Sequence, residues 1–185
     1  MKNTAINGRF ITVKKLVKRI LFLFTALVLT ILILYFIPLS PSQSVIDKAN
    51  KARVDFHGKY KNDSLVIMVD YSFPVFMKRF WVYDLNKNEA VINTHVSHAW
   101  KSGLVLADTF SNVSGSNLSS LGVMKTGERY IGKYGPSMRI DGLEPRNNAV
   151  RQRAIVIHPL VDYSLYGVFI PSEIAFYSEG CFVLN

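Results

Sequence analysis

The sequence has a single cysteine, Cys181, among 185 residues. One cysteine excludes an internal disulfide framework, and no Cys-x-x-Cys pair is present to suggest a zinc site. In an exported chain, a leftover cysteine indicates a reactive thiol or an intermolecular bond. The alternative is a small buried apolar residue, because free cysteine is among the most buried residue types. Composition alone leaves both interpretations open.

Acidic residues are absent before Asp47, whereas basic residues surround the start of an apolar run. The segment from Leu21 to Ile37 carries no charge, and with Ile20 it gives about 18 apolar-type residues, enough to cross a ~30 Å hydrocarbon layer. The positive-inside rule predicts a basic cytoplasmic tail at 1–19, a transmembrane anchor at 20–38 and an outer C-terminal part. The small residues after Ile37 keep a cleaved signal peptide as the alternative. The basic residues are Lys2, Arg9, Lys14, Lys15, Lys18 and Arg19.

The net charge of +9 comes largely from that tail, so the outer part is only mildly basic. A nucleic-acid interface would need Lys and Arg clustered on one face with aromatic residues between them. We therefore expect no nucleic-acid partner, and the paired Lys and Arg near the N-terminus are better explained as topology signals.

The outer part has about 140 residues, a size that suits one domain. Residues 39–62 are predicted as a linker and lead-in segment with a short helix within 45–61, and residues 63–185 as the domain itself. Apolar, β-branched segments bounded by turn residues predict a mostly β fold. Residues 101–127 are rich in Ser, Gly, Asn and Thr and predict a long loop. The predicted strands cover 64–70, 79–85, 90–97, 130–132, 137–140 and 153–158.

Two motifs are rejected as cofactor or metal sites. The glycines between 115 and 122 are not followed by Gly-Lys-Ser or Gly-Lys-Thr, so they do not form a phosphate loop. His95 and His98 lie three apart, which on a strand points them to opposite faces. We expect neither a metal nor a cofactor.

His158 ends the apolar run 154–157, which predicts a buried strand that delivers a base to the edge of a site. A cysteine nucleophile needs such a base near neutral pH. Because His158 and Cys181 are well separated along the chain, their spacing alone is weak evidence for a dyad. The sequence around each residue is more specific.

Short blocks in a fixed order resemble the YkuD-type L,D-transpeptidases, in particular the murein L,D-transpeptidase catalytic-domain branch. The resemblance runs from about Phe80 to Cys181. Its clearest blocks are Val82-Tyr83-Asp84-Leu85, His95-Val96-Ser97-His98, Ser119-Ser120-Leu121-Gly122-Val123, Tyr130-Ile131-Gly132-Lys133, Arg139-Ile140-Asp141-Gly142, Arg153-Ala154-Ile155-Val156-Ile157-His158 and Ser178-x-Gly180-Cys181.

The resemblance implies a β-sandwich or barrel catalytic domain that acts on peptidoglycan stem peptides in the periplasm, anchored in the bacterial inner membrane. Cys181 would attack the amide between the L-centre of a diamino acid and the terminal D-Ala, releasing D-Ala and leaving a thioester for an acceptor amine. His158 would be the base. Gly180 and Ser178 are predicted at the oxyanion site, where Gly180 and Cys181 would offer backbone N–H groups. The predicted substrate-binding residues are His98, Tyr130 and Arg139.

Three departures from the family pattern keep other functions open. Glu179 stands where many relatives have His or Trp, and a carboxylate beside the sulfur favours the thiol form. Pro159 follows the histidine where relatives often have Gly. The chain stops four residues after Cys181, so we expect a domain shortened at its C-terminus. The alternatives are a catalytically inactive peptidoglycan-binding domain and an L,D-carboxypeptidase, in which water resolves the thioester.

Overall fold

The computed structural model describes residues 2–160 and 177–184 and divides the chain into two compact units, Met1–Ile37 and Pro38–Asn185. The first unit is helix α1, Lys2–Phe36. Within it, Val13–Phe36 is long and apolar enough to cross a membrane by length and composition. The helix ends just before Pro38, since a proline disfavours helical geometry in the residue that precedes it.

The second unit opens with helix α2, Gln43–Asp55. It lies at the start of the predicted linker and begins before the predicted range. Its few apolar residues, Val45, Ile46 and Ala49, recur at helical spacing and pack on a small cluster formed by Met68, Trp81 and Tyr83. The polar remainder faces away, so this helix covers one face of a sheet.

That sheet has three antiparallel strands in the order β1-β2-β3: Leu65–Val69, Phe80–Asp84 and Glu89–Thr94. Because side chains alternate along a strand, Trp81 and Tyr83 point towards α2 while Phe80 and Val82 point to the opposite face. The first two strands lie within the segments that β-branched and aromatic residues predicted, whereas β3 begins one residue before the predicted segment 90–97 and ends at Thr94.

The remaining strands build the site. They are β4 (His98–Ala99), β5 (Met124–Gly132), β6 (Gly135–Gly142), β7 (Val156–Pro159), β8 (Tyr177–Ser178) and β9 (Phe182–Leu184). Strands β5, β6, β7 and β9 form a second sheet in that order, in which β7 and β9 are parallel and the other neighbours antiparallel. Strands β4 and β8 form a separate parallel pair.

The main core lies between the two larger sheets. Phe80 from the first sheet and Ile140 and Phe182 from the second belong to one buried cluster with Ile155, which comes just before β7. The domain is therefore layered as α2, first sheet, second sheet, and the mostly β prediction is confirmed. Apart from a short 3-10 turn at Trp100–Ser102, the predicted loop 101–127 is irregular as far as residue 123, but the prediction is wrong for 124–127, which begin β5. The predicted strand 153–158 is also wrong at its start, because residues 153–154 form a turn and β7 begins at Val156.

Candidate active site

The parallel pairing of β7 with β9 brings His158 and Cys181 to one face of the second sheet. Ile157 is aligned with Phe182, so Cys181, one residue earlier, lies beside Val156. Aligned residues of neighbouring strands share a face, and so do residues two apart on one strand. Cys181 and His158 therefore project from the face opposite the core, on adjacent strands. Their direct contact as a dyad stays a prediction.

The cysteine segment is held on its other side by the chain that leads into β4. The Ser97 N–H donates to the Val183 carbonyl at 3.0 Å, and the Val183 N–H donates to Ser97 Oγ at 3.3 Å. Ser97 Oγ also donates to the Cys181 carbonyl at 3.5 Å. Together with β7, these bonds fix the backbone of Cys181 from both sides.

Ser178 and Gly180 shape the turn that presents the sulfur. Ser178 Oγ donates to the Cys181 carbonyl at 2.7 Å and accepts from the Gly180 N–H at 3.1 Å. Gly180 has a positive φ, and a Cβ there would lie 3.3 Å from both Ile155 Cδ1 and the Leu118 carbonyl oxygen. Glycine is needed for this conformation. In this arrangement the Gly180 N–H points at Ser178, and the oxyanion role of these two residues stays a prediction.

The thiol of the half-buried Cys181 lies beside the start of β7. Its Sγ donates to the Ala154 carbonyl at 3.7 Å. Burial raises the pKa of this thiol, and the Glu179 carboxylate raises it further, whereas a hydrogen bond from the Val156 N–H and the charge of Arg153 act to lower it. Ala154 itself has a positive φ, a conformation that residues with a Cβ seldom adopt and that is frequent near functional sites.

The His158 ring is buried, and its two nitrogens have different roles. Nδ1 lies 2.8 Å from the Pro159 carbonyl oxygen. A carbonyl can only accept, so Nδ1 carries the proton and the neutral ring has its lone pair on Nε2. Tyr134 stacks on the imidazole with ring centroids 4.6 Å apart and planes at 17°. The ring is thus oriented with Nε2 as its basic nitrogen.

Arg153, which the sequence did not single out for a role, ties the serine-rich loop to the cysteine. Its Nη2 donates to the Leu118 carbonyl at 2.6 Å, and Nη1 donates to Ser120 Oγ at 2.6 Å and to the Ser111 carbonyl at 2.5 Å. The same Leu118 carbonyl faces Gly180. No sequence period connects these residues, so only the folded chain reveals the clamp.

Two of the predicted substrate-binding residues, Tyr130 and Arg139, lie on the face that carries the cysteine. Arg139 is aligned with Val156, and its guanidinium carbon lies 4.7 Å from the centre of the Tyr130 ring. Glu128 accepts from Arg151 at 2.8 Å and forms a 3.1 Å ion pair with Arg139. Hydrogen bonds from Arg151 lower the pKa of Glu128 to about 2, so this carboxylate is ionised at neutral pH. The result is a charged, aromatic surface leading to the sulfur.

His98, the third predicted substrate-binding residue, is fully buried. Nδ1 accepts from Arg79 Nη2 at 2.7 Å, and Nε2 donates to the Gly103 carbonyl at 2.8 Å. Arg79, also fully buried, donates to the Val96 and Phe73 carbonyls and lies 5.1 Å from the centre of the Tyr71 ring. With no exposed surface, His98 can influence a substrate only through the backbone it holds.

No group of three or more His, Cys, Asp or Glu residues in 2–160 and 177–184 could hold a metal ion. A family model, YkuD_2, described as L,D-transpeptidase catalytic domain, matches residues 40–185. Comparisons with curated proteins and with solved structures found no match. The matched range begins before α2 and includes both sheets, with His158 and Cys181.

Proposed function

The chain belongs to the L,D-transpeptidase catalytic-domain family, and on that premise we propose that it is a peptidoglycan L,D-transpeptidase with Cys181 as its nucleophile. Members of this family act on peptidoglycan peptides. The observation that best supports the assignment is the β7–β9 pairing, because it puts the only cysteine of the sequence and His158 on one face of a sheet.

In the proposed reaction, His158 Nε2 takes the thiol proton as Cys181 Sγ attacks the amide carbon between the diamino acid and the terminal D-Ala. The C–N bond breaks, the proton passes from His158 to the leaving amine, and D-Ala departs. An acceptor amine then attacks the thioester, gives a proton to His158, and the sulfur leaves. Backbone N–H groups at Gly180 and Cys181 would stabilise the oxyanion once substrate replaces the Ser178 contact.

We assign donor binding to the surface formed by Arg139 and Tyr130. A guanidinium beside an aromatic ring suits the carboxylate and aliphatic chain of a diamino acid. Arg139 is already paired with Glu128, so the ligand carboxylate would compete with Glu128 for it. We place the domain in the periplasm, held at the inner membrane by Val13–Phe36, whose basic residues lie at its N-terminal end.

Mass spectrometry tests this proposal directly. The full chain, incubated with a disaccharide tetrapeptide, should release D-Ala and gain the mass of the donor minus D-Ala on Cys181. Cys181→Ala should show neither, and Cys181→Ser should be nearly inactive because a hydroxyl is a much weaker nucleophile. A chain that binds the muropeptide without either product is inconsistent with the transferase. D-Ala release without transfer to any amine identifies an L,D-carboxypeptidase instead.

A second candidate is a catalytically inactive wall-binding domain. It is favoured by the raised pKa of Cys181, whose first cause is burial and to which Glu179 adds. A thiol kept protonated and donating to a backbone carbonyl is a poor nucleophile. Muropeptide binding that is unchanged in Cys181→Ala, with no D-Ala release by the native chain, would decide for this function.

A further inference from the structure

The segment 100–106, which we term the apolar loop, holds several large apolar side chains in solvent. Trp100 is 52% exposed, Leu104 74%, Val105 44% and Leu106 46%. Single exposed apolar residues are ordinary, but this many so close together form a patch of the kind that marks an interaction site.

The apolar loop is rigidly built. Gly103 has a positive φ, and a Cβ there would lie 1.9 Å from the Leu106 carbonyl oxygen, so the turn requires glycine. The carbonyl of the buried Ser102 accepts from the Asp108 and Thr109 N–H groups at 2.9 and 3.2 Å. His98 donates to the Gly103 carbonyl from within the core. Buried polar bonds therefore hold the apolar side chains outwards.

The apolar loop and the start of the domain attach to the same connection between β1 and β2. The Val75 N–H donates to the Val105 carbonyl at 2.9 Å, while Ser42 Oγ donates to Asp70 at 2.5 Å. The Asp70 N–H donates to the Arg79 carbonyl at 3.0 Å, which closes this connection into a compact segment. The apolar loop thus lies at the end of the domain where the chain enters it.

Only a short stretch of chain separates that end from the apolar helix in the sequence. Leu39 is fixed to the domain, because its carbonyl accepts from Trp81 Nε1 at 2.7 Å and its N–H donates to Asn93 at 3.1 Å. Only Ile37 and Pro38 separate Leu39 from Phe36, the last helical residue, and even a fully extended chain of this length has a short reach. If the helix crosses the membrane, the end of the domain at Leu39 stays near the bilayer surface.

We propose that the apolar loop inserts into the lipid interface of the membrane that holds the helix. Tryptophan and lysine are typical of that interface, and Lys101 Nζ lies 5.0 Å from the centre of the Trp100 ring, where it could also reach a lipid phosphate. Leu104, Val105 and Leu106 offer a glycan no hydrogen bonds but suit acyl chains. The inference rests on the anchor in the proposed function.

Membrane insertion would orient the active site. Strand β4 leads directly into the apolar loop and pairs with β8, which precedes Gly180 and Cys181. A loop held at the bilayer would therefore fix the orientation of the sheet face that carries Cys181 relative to the membrane. No contact between lipid and the reacting atoms is needed.

Tryptophan fluorescence gives a sharp test because the chain has only Trp81, which is fully buried, and Trp100. The full chain is reconstituted in vesicles with phospholipids brominated at different acyl depths. We expect lipids brominated ~5–10 Å below the headgroups to quench the Trp100 emission most. Trp100→Phe isolates Trp81 and should remove the depth-dependent quenching. Trp100 emission that no brominated lipid quenches would overturn the inference.

Matched variants separate the loop from general hydrophobicity and from catalysis. Leu104→Ser should reduce the quenching, whereas Ile131→Ser, at a residue 80% exposed on another hairpin, should leave it unchanged. The Trp100 emission of Cys181→Ala should be quenched as it is in the native chain. The lipid test therefore still applies if Cys181 proves to have no catalytic role. Protein removed from vesicles by carbonate washing would refute the anchor and the loop contact together. A Trp100 response to wall fragments but not to lipids would assign the patch to glycan and overturn lipid insertion.

Discussion

Two regions of the domain each combine a histidine with a nearby arginine, and they differ in what remains available for chemistry. His98 uses both nitrogens inside the protein, one towards Arg79 and one towards Gly103. His158 uses Nδ1 for the Pro159 carbonyl, which leaves the lone pair on Nε2, and it shares a sheet face with Cys181. Both rings are buried, so burial alone does not distinguish a structural histidine from a candidate catalytic one. The protonation of each nitrogen does.

Arg79 and Arg153 differ in the same way as the two histidines, because one acts within the core and the other near Cys181. Arg79 donates to the Val96 and Phe73 carbonyls, and burial lowers its pKa to about 10. Arg153 also donates to carbonyls and hydroxyls, yet its charge is felt by the Cys181 thiol. The first arginine closes a core network, and the second connects a loop to a reactive atom.

Replacing His158 should have the largest effect on the proposed activity. His158→Ala should lower kcat for D-Ala release by about 10²–10⁴-fold with little change in KM, because a general base acts in the transition state. Steady-state kinetics on the tetrapeptide measure this, and the midpoint of thermal unfolding checks folding. A His158→Ala variant with near-native kcat would show that His158 is not the general base.

Replacing His98 should reduce the stability of the fold instead. His98→Ala leaves a buried Arg79 donor and the Gly103 carbonyl without this partner, and we expect a loss of about 3 kcal/mol in the free energy of unfolding. Urea unfolding measures the loss, with the exposed His57→Ala as a control expected within about 0.5 kcal/mol of the native chain. A His98→Ala chain as stable as the control would show that the network adds little.

Variants of Arg153 should separate the effect of its charge from the effect of its hydrogen bonds to the serine-rich loop. Its charge lowers the pKa of the Cys181 thiol against the larger effect of burial. Arg153→Met should therefore slow alkylation of Cys181 at pH 7 about twofold, while Arg153→Lys keeps the charge and stays near the native rate. Equal rates for the two variants would mean that the charge does not act on the sulfur. The ion-paired, exposed Arg146→Met is the control.

Glu179 should change the same alkylation rate in the opposite direction. Its carboxylate raises the pKa of the thiol, so Glu179→Gln should increase alkylation at pH 7 about twofold at low salt, and added salt should remove most of the difference. Because the folded thiol has a raised pKa, the native rate should keep rising with pH beyond the ordinary thiol value of about 8.5. A salt-independent gain would point to packing rather than charge.

The sequence predicted the features whose signals are local. Segments such as 80–84 are rich in aromatic and β-branched residues and bounded by turn residues, so their strands were predictable. Helix α2 was indistinct because its core contact needs only three small or medium apolar residues in a polar segment. The burial of His98 depends on Arg79, 19 residues away, so the local sequence did not show that His98 lies in the core. Arg153 was missed for the same reason, since its partners lie 33 to 42 residues earlier.

Parallel strands cannot be joined by a tight turn, and in this domain that requirement has a consequence for what holds His158 and Cys181 in place. Among the described residues, the ladder between β7 and β9 and the Ser97 contacts hold the backbone around His158 and Cys181. A substitution in either strand that weakens this ladder would therefore change the distance between the two side chains without altering either one.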